Sequence, residues 1–225
     1  MYTNRWYKGY YLTANGTIAT SQMVSENVYV NEEGRKCAKE EVRLGKLKKK
    51  LQSTVNGYSG NWSVYVENLK TGDILSINET SMYPASVIKL FVMEAVYASG
   101  NKKRINLNGT VKSLLNSMIT VSDNESCNEL GRLQSEKHDF LDGAELVNKY
   151  LEKEGYTETT YQNTLHPSSS QKLSLGGHNM TTVKDCGKLL ERIYKGECVS
   201  KEASEEMLNL LLNQENTTKI PEGVP

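Results

Sequence analysis

The hydrophobic residues of this chain are most concentrated in one helix-length run, Tyr83 to Val92, and this run contains a lysine. Lys89 is the only charged residue between Thr80 and Glu94. Burying an ammonium group without a partner is costly, and a lowered pKa that leaves a neutral amine relieves that cost. The pattern therefore predicts a buried helix with a basic amine, and such an amine can take a proton from a nucleophile.

Ser86 supplies a candidate nucleophile three residues before Lys89. Residues three apart lie on the same face of a helix, and long side chains lean toward the helix N-terminus. Pro84 near the helix start places Ser86 in the first turn, where unpaired N–H groups and the helix dipole favour developing negative charge. These residues predict acyl transfer, with Ser86 as the nucleophile and Lys89 as its base.

An ordinary buried helix whose lysine reaches the surface is the alternative interpretation of this run. The same Ser-x-x-Lys spacing recurs in polar contexts, at Ser99/Lys102 and Ser169/Lys172. The apolar surroundings of Ser86, and not the spacing, therefore distinguish the first pair.

Periodicity elsewhere predicts a mainly helical body with one β-hairpin. Four further segments have the helical repeat: Val111–Met118, Leu141–Glu154, Val183–Tyr194 and Lys201–Leu212. Two β runs flank a turn and predict the hairpin, at Trp62–Val66 and Ile74–Ile77. Residues 157–179 form a long polar stretch without a period, which is typical of a functional loop in a compact domain.

The first 40 residues contain an internal repeat. Gly9–Thr17 aligns with Asn27–Arg35 at an offset of 18 residues, and each copy predicts an aromatic strand followed by a turn. The copies resemble the cell-wall or choline-binding repeats of Gram-positive surface proteins. Four dipeptides carry that resemblance: Trp6-Tyr7, Tyr10-Tyr11, Asn15-Gly16 and Ala19-Thr20. A short aromatic hairpin packed on its neighbour is the alternative.

A charged stretch, Lys36 to Lys50, follows the repeat. Its few apolar residues fall at roughly helical spacing, which indicates either a solvated linker or the polar part of an opening helix. We therefore predict two domains, with the repeats in residues 1–40 and the second domain in residues 41–225.

Composition limits the classes of partner. A chain of 225 residues can bury one sizeable core with a small appendage. Its 27 basic and 27 acidic residues leave no net charge to attract nucleic acid or an anionic membrane. We expect small or neutral partners and no membrane span, since no run approaches the length of one. The polar start, Met1 to Arg5, is no signal peptide, so we expect a cytosolic protein or a missing natural N-terminus.

The four cysteines indicate no metal centre. They show no Cys-x-x-Cys or Cys/His ligand spacing, so a zinc site is not expected. The sequence leaves open whether Cys186 and Cys198 pair or stay free.

A second motif, Val121 to Glu125, follows the predicted helix that ends near Met118. The Ser122-x-x-Glu125 spacing by itself predicts a capping box that opens the next helix. Together with Ser86 and Lys89, in this order, Ser122-Asp123-Asn124 resembles the Ser-Asp-Asn element of the active-site serine enzymes that include class A β-lactamases and penicillin-binding proteins. The resemblance covers roughly residues 51–225, including Asn179-Met180-Thr181-Thr182 with Asp185 and the tail Lys219 to Pro225.

This resemblance implies an α/β fold, an α+β sandwich with a mainly helical body and an antiparallel sheet. It implies that Ser86 is the acylated nucleophile, Lys89 its base or proton relay, and Ser122 a proton shuttle toward the leaving nitrogen. Asn124 would bind the substrate's amide side chain and Lys89, and Asp123 would hold the loop in shape. The backbone N–H of Ser86 would form half of an oxyanion hole.

The resemblance also implies a substrate, a β-lactam or a peptidoglycan stem peptide, and no cofactor or metal. The repeats in residues 1–40 add the cell wall as an expected partner, and an extracellular or wall-associated location. Three other interpretations stay open: a non-catalytic wall-associated module, a D,D-peptidase-like penicillin-binding enzyme, and an unrelated helical domain with chance motifs.

Two departures from the family pattern change what we expect of the chemistry. The first is the Lys-Thr-Gly element, which in this family follows the Ser-Asp-Asn motif on a strand. Here Lys70-Thr71-Gly72 precedes Ser86 and suits a hairpin turn. The chain stops at Val224-Pro225, about where the missing strand is expected, so we expect an incomplete sheet and weak or absent activity.

The second departure is in residues 157–179, where class A β-lactamases carry a Glu-x-x-x-Asn element that positions the deacylating water. Glu158 is the only acid in this segment, and Gln162 stands four residues later. We therefore expect an acyl-enzyme that forms and persists, as in a penicillin-binding enzyme. His166 and His178 are candidate substitute bases, and surface histidines are the alternative.

Overall fold

The computed structural model describes residues 2–216 and 218, which form two compact units, the residues up to Asn78 and the residues from Glu79 onward. The tail from Lys219 to Pro225 lies outside the described residues. The division predicted between residues 40 and 41 rests on the repeats and on the charged stretch that follows them, and it stays a prediction.

The first unit contains three small antiparallel sheets and one helix. Its elements are β1 (Arg5–Tyr7), β2 (Tyr10–Leu12), β3 (Gln22–Ser25), β4 (Val28–Val30), β5 (Lys36–Cys37), α1 (Lys39–Asn56), β6 (Val64–Asn68) and β7 (Asp73–Ile77). The sheets are β1-β2, β3-β4-β5 and β6-β7. A small core forms where α1 meets the last hairpin, around Val55, Leu75 and Ile77.

The two copies of the repeat have the same turn. After β2, the Thr13 N–H donates to Thr17 O and the Gly16 N–H donates to Thr13 O. After β4, Asn31 and Gly34 make the equivalent bonds 18 residues later, and each turn glycine has a positive φ. The predicted strand and turn are therefore confirmed in both copies.

The charged stretch is not a linker. Lys39–Asn56 form α1, so the helical interpretation of this segment is correct. The predicted hairpin is also confirmed as β6 and β7, and Lys70-Thr71-Gly72 lies in its turn, where the Gly72 N–H donates to Asn68 O at 2.7 Å.

The second unit is helical and builds its core around the predicted apolar run. Its helices are α2 (Ile88–Asn101), α3 (Gly109–Thr120), α4 (Asn124–Arg132), α5 (Phe140–Lys153), α6 (Val183–Lys195) and α7 (Lys201–Leu212). All four helices predicted from periodicity are present. Because α2 is apolar on nearly every side, it lies at the centre, and helices α3, α4, α5 and α7 pack against it.

Two glycines set how closely α4 and α5 pack. A Cβ atom at Gly143 would lie 2.0 Å from the carbonyl oxygen of Gly131. No side chain is tolerated at that separation, so the absence of one at Gly143 allows α5 to pack closely against the C-terminal turn of α4. This contact matters because α4 begins at the candidate site.

Two further observations concern the membrane and the thiols. No described helix is both long enough and apolar enough to cross a membrane. All four cysteines are free thiols in the structure.

Candidate active site

Ser86 lies in a short 3₁₀ turn, Ala85–Val87, immediately before α2. The sequence predicted the first turn of the helix; the structure places the serine one turn earlier, at the exposed entrance to α2. Lys89 lies in the first turn of α2 with only 2% of its surface exposed, and its Nζ is 3.2 Å from Ser86 Oγ. The spacing of three residues therefore brings the amine to the hydroxyl, as predicted.

The Lys89 amine also contacts the second motif. Its Nζ lies 3.0 Å from Ser122 Oγ, 2.5 Å from the Ser122 carbonyl oxygen and 2.7 Å from Asn124 Oδ1. The structure thus brings together all four residues predicted for the site, Ser86, Lys89, Ser122 and Asn124. The buried Lys89 amine contacts each of the other three.

The loop between α3 and α4 has a conformation that suits this contact. Ser122 has φ of +60°, a left-handed conformation that a non-glycine residue adopts only when its surroundings hold it. Asp123 is the N-cap of α4, and its carboxylate accepts the Ser126 N–H at 2.6 Å. The Asp123 N–H donates to Ser117 O, so Asp123 ties the loop at both of its ends.

The predicted capping box is therefore wrong. Asp123, and not Ser122, caps α4, because the left-handed Ser122 lies one residue further from the helix and contacts Lys89 instead. The role expected of Asp123, holding the loop in shape, agrees with its two hydrogen bonds.

Burial sets the chemistry of Lys89. Removing its ammonium group from water lowers the pKa of Lys89 below the ordinary value, and the nearby Cys127 and Asp123 oppose this shift without reversing it. Burial also raises the pKa of the Cys127 thiol to about 12, so this thiol is neutral at neutral pH. The lowered pKa leaves a larger share of Lys89 as the neutral amine, which is the form that a general base requires.

Residues on α4 hold the 157–179 loop beside this site. The Asn128 side chain is fully buried; its Oδ1 accepts the Leu165 N–H at 2.7 Å and its Nδ2 donates to Leu165 O at 3.3 Å. Glu125 accepts hydrogen bonds from three consecutive serines of the loop, Ser168, Ser169 and Ser170. Periodicity did not single out Glu125 or Asn128 for this purpose, because their partners lie far away in the sequence.

The loop is also fastened internally by Asn179. This buried amide accepts the Gln162 and Asn163 N–H groups at 2.6 and 2.9 Å and donates to Asn163 O. Glu158, the only acid in residues 157–179 of the sequence, has an exposed side chain. His166 and His178 are exposed as well, which agrees with the surface-histidine alternative.

The chain is similar to known proteins in its sequence and in its fold. A model of the beta-lactamase enzyme family matches residues 46–113 and 101–225. Three solved β-lactamase structures share the fold at low identity. A variant of the class A enzyme from the last common ancestor of Gram-negative bacteria is 19% identical with a TM-score of 0.66, over 80% of this chain and 75% of that one.

The enzyme from Chitinophaga pinensis is 17% identical with a TM-score of 0.68, over 80% of this chain and 74% of that one. The enzyme from Xanthomonas campestris is 15% identical with a TM-score of 0.66, over 81% and 75%. No curated protein matches the chain. These structures confirm the predicted α/β fold class of β-lactamase type.

Proposed function

Because the chain belongs to the beta-lactamase enzyme family, we propose that it is a serine hydrolase in which Ser86 is acylated by β-lactams or related peptidoglycan-like amides and is then deacylated slowly. One observation carries the proposal. The buried Lys89 amine lies within 3.2 Å of the hydroxyl oxygens of both Ser86 and Ser122.

Acylation proceeds by two proton transfers in this scheme. The neutral Lys89 amine takes the Ser86 hydroxyl proton while Oγ forms a bond to the carbonyl carbon. When the C–N bond breaks, the ammonium of Lys89 returns that proton through the Ser122 hydroxyl to the leaving nitrogen. Asn124, held by Lys89 through Oδ1, presents its amide N–H groups to the substrate's amide side chain.

Residues 157–179 lack the Glu-x-x-x-Asn element that would position the water for deacylation. The residue gripped by Asn128 is Leu165, which is 3% exposed and has no group that can take a proton. The three serine donors engage Glu125 and give its carboxylate a low pKa, so it is a weak base. The acyl-enzyme therefore forms faster than water removes it.

A burst of product is the expected kinetic result. The 225-residue protein, given a chromogenic β-lactam, should be acylated slowly, in keeping with the weak activity expected of it, and should release about one equivalent of product per site before product release slows further, the sign of an accumulating covalent intermediate. Stopped-flow absorbance and intact-protein mass spectrometry follow the two phases.

Two results would contradict this scheme. Absence of any adduct would favour the non-catalytic, wall-associated module. Rapid multiple turnover without a burst would mean that another group activates water; if Glu158→Gln left it unchanged, His166→Gln would be the next variant to measure.

We also propose that the first unit binds the bacterial cell wall, as the resemblance of its repeats implies. Its β1-β2 hairpin and the residues before it expose a cluster of aromatic rings: Tyr2, Trp6 and Tyr7 are each 40% or more exposed, and the rings of Tyr2 and Tyr7 stack at 5.0 Å. Exposed aromatic patches on soluble proteins mark interaction sites.

Trp6→Ala should weaken sedimentation of the protein with purified peptidoglycan by about tenfold or more, because aromatic side chains dominate binding surfaces. Trp62→Ala is the matched control, since Trp62 is equally exposed but lies outside the repeats. All measurements use the Ser86→Ala background, so that acylation does not contribute. Equal loss in the two variants would contradict a wall site on the hairpin.

A further inference from the structure

Glu125 makes an unusual set of contacts for a residue in the first turn of a helix. Its Oε1 accepts the Ser168 N–H at 2.6 Å and the Ser169 N–H at 3.1 Å, and its Oε2 accepts the Ser170 hydroxyl at 2.7 Å. Three donors from consecutive residues thus converge on one carboxylate. Charge-assisted hydrogen bonds of this kind are about twice as strong as neutral ones.

These contacts lie next to the candidate active site. Glu125 directly follows Asn124, whose Oδ1 is 2.7 Å from Lys89 Nζ. Asn128, three residues further along α4, grips the backbone of Leu165. Residues three apart share one helix face, so Glu125 and Asn128 bind residues 165–170 of the loop from the same face of α4. Asn124, the residue before Glu125, contacts Lys89.

The bonds to Glu125 persist over a wide pH range. The Ser170 hydroxyl, and after it the Ser169 N–H, lower the pKa of Glu125 to about 2. Since the folded-state pKa lies below the ordinary value, the stabilisation is present above the ordinary value and is lost only as the pH falls toward 2. At neutral pH the carboxylate is charged, engaged by three donors and unsuited to activating water.

We propose that Glu125 is a positioning residue that prolongs the life of the acyl-enzyme by holding residues 168–170 of the loop against α4. This inference rests on the proposed acyl-enzyme function. The fastened loop limits the access of water to the ester on Ser86, and exclusion of water suppresses hydrolysis of reactive intermediates. No hydrogen bond joins Glu125 to Ser86 or Lys89 in the part of the chain that the structure describes, so the effect is on hydrolysis of the ester and not on its formation.

Glu125→Ala is the variant that tests this role. It should shorten the half-life of the acyl-enzyme by about tenfold, a coupling typical of residues that act through a neighbouring element. The acylation rate should stay within about twofold of the parent's, because the contacts of Lys89 are unchanged. Time-resolved intact mass spectrometry of the whole 225-residue protein, after acylation and removal of free β-lactam, measures both rates.

Glu129→Ala is the matched control. Glu129 lies one turn further along α4, and its carboxylate contacts His138 and Arg132 instead of the loop. The acyl-enzyme of this variant should decay at the parent rate. Glu125→Gln, which keeps an acceptor oxygen at the same position, should restore part of the half-life, and Ser170→Ala should shorten it less than Glu125→Ala because the two backbone donors remain.

Hydrogen exchange supplies a readout that needs no substrate. In Glu125→Ala, the amides of Ser168 and Ser169 should exchange faster, while those of Gln162 and Asn163, bonded to Asn179, should keep the parent rate.

Three results would overturn the inference. If the parent is acylated but Glu125→Ala and Glu129→Ala decay alike, the inference fails and the proposed function stands. If acylation slows as much as hydrolysis accelerates, the role is general support of the fold. If the parent forms no adduct, both proposals fail.

Discussion

Replacing Lys89 with methionine should abolish acylation of Ser86 while the protein stays folded. The amine is the only group within hydrogen-bonding distance of Ser86 Oγ in the described part of the chain, so its loss removes the base. Loss of a general base typically lowers rates by about 10²–10⁴-fold. Methionine is of similar length and relieves the burial of a cation, so circular dichroism should show a folded protein.

Peptide mapping locates the adduct in this experiment. In the parent, a penicillin adduct should lie on the peptide that contains Tyr83 to Lys89, and Ser86→Ala should carry none. Lys102→Met is the matched control, because Lys102 is exposed and belongs to another Ser-x-x-Lys pair, Ser99/Lys102, and its loss should leave acylation unchanged. An adduct on Ser99, Ser122 or Ser169 would contradict the assignment.

The pH dependence of acylation gives an independent check. Burial lowers the pKa of Lys89, and the neutral amine is the active form. The acylation rate should therefore rise with pH and level off below the ordinary lysine pKa of about 10.4. A profile that still rises through the ordinary value would show that Lys89 is not the titrating base.

Local sequence patterns predicted only those contacts of this site that lie within one helical segment. The contact of Ser86 with Lys89 follows from a spacing of three residues on an apolar helix, and the structure contains it. The addition of Ser122 and Asn124 came from a family resemblance. Their approach to Lys89 depends on how α3 and α4 pack against α2, which periodicity does not specify.

The capping residue shows the same limit in a different form. Ser122-x-x-Glu125 satisfies the capping-box pattern, yet Asp123 caps the helix and the two pattern residues contact Lys89 and the loop. Ser and Asp are about equally good N-caps, so local preference does not decide between adjacent positions. Tertiary contacts decide which residue caps the helix. Because Asp123 is the cap, the side chains of Ser122 and Glu125 can contact Lys89 and the loop.

Glu94 is a second buried ionisable residue on α2 that periodicity did not explain. Its side chain is fully buried, and its Oε1 accepts hydrogen bonds from the Tyr150 hydroxyl at 3.0 Å and Arg192 at 3.1 Å. Its Oε2 has no hydrogen-bond partner in the described part of the chain. Arg192 also contacts Glu154 at 2.9 Å, so Glu94 links α2 to α5 and α6.

Glu94→Ala should therefore lower the free energy of unfolding by about 3 kcal/mol, because it leaves a cavity in the core and removes the acceptor of the Tyr150 hydroxyl and one acceptor of Arg192. Glu154→Ala is the matched control. It removes the other carboxylate from the same arginine, but Glu154 is 27% exposed, so the loss should be about 1 kcal/mol or less. Urea unfolding followed by circular dichroism measures both free energies of unfolding. Equal losses would show that the buried Glu94 stabilises the fold no more than the partly exposed Glu154 does.

The isosteric variant Glu94→Gln tests the charge state of this carboxyl. Burial raises the pKa of Glu94 above the ordinary value, so the folded state binds the proton more tightly than the unfolded state does. The stabilisation by protonated Glu94 is then fully present below the ordinary pKa and is lost as the pH rises through the folded-state value. The parent should lose stability relative to Glu94→Gln as the pH rises above the ordinary glutamate pKa of about 4.3, and a difference that stays constant above that pH would show that the pKa of Glu94 is not raised.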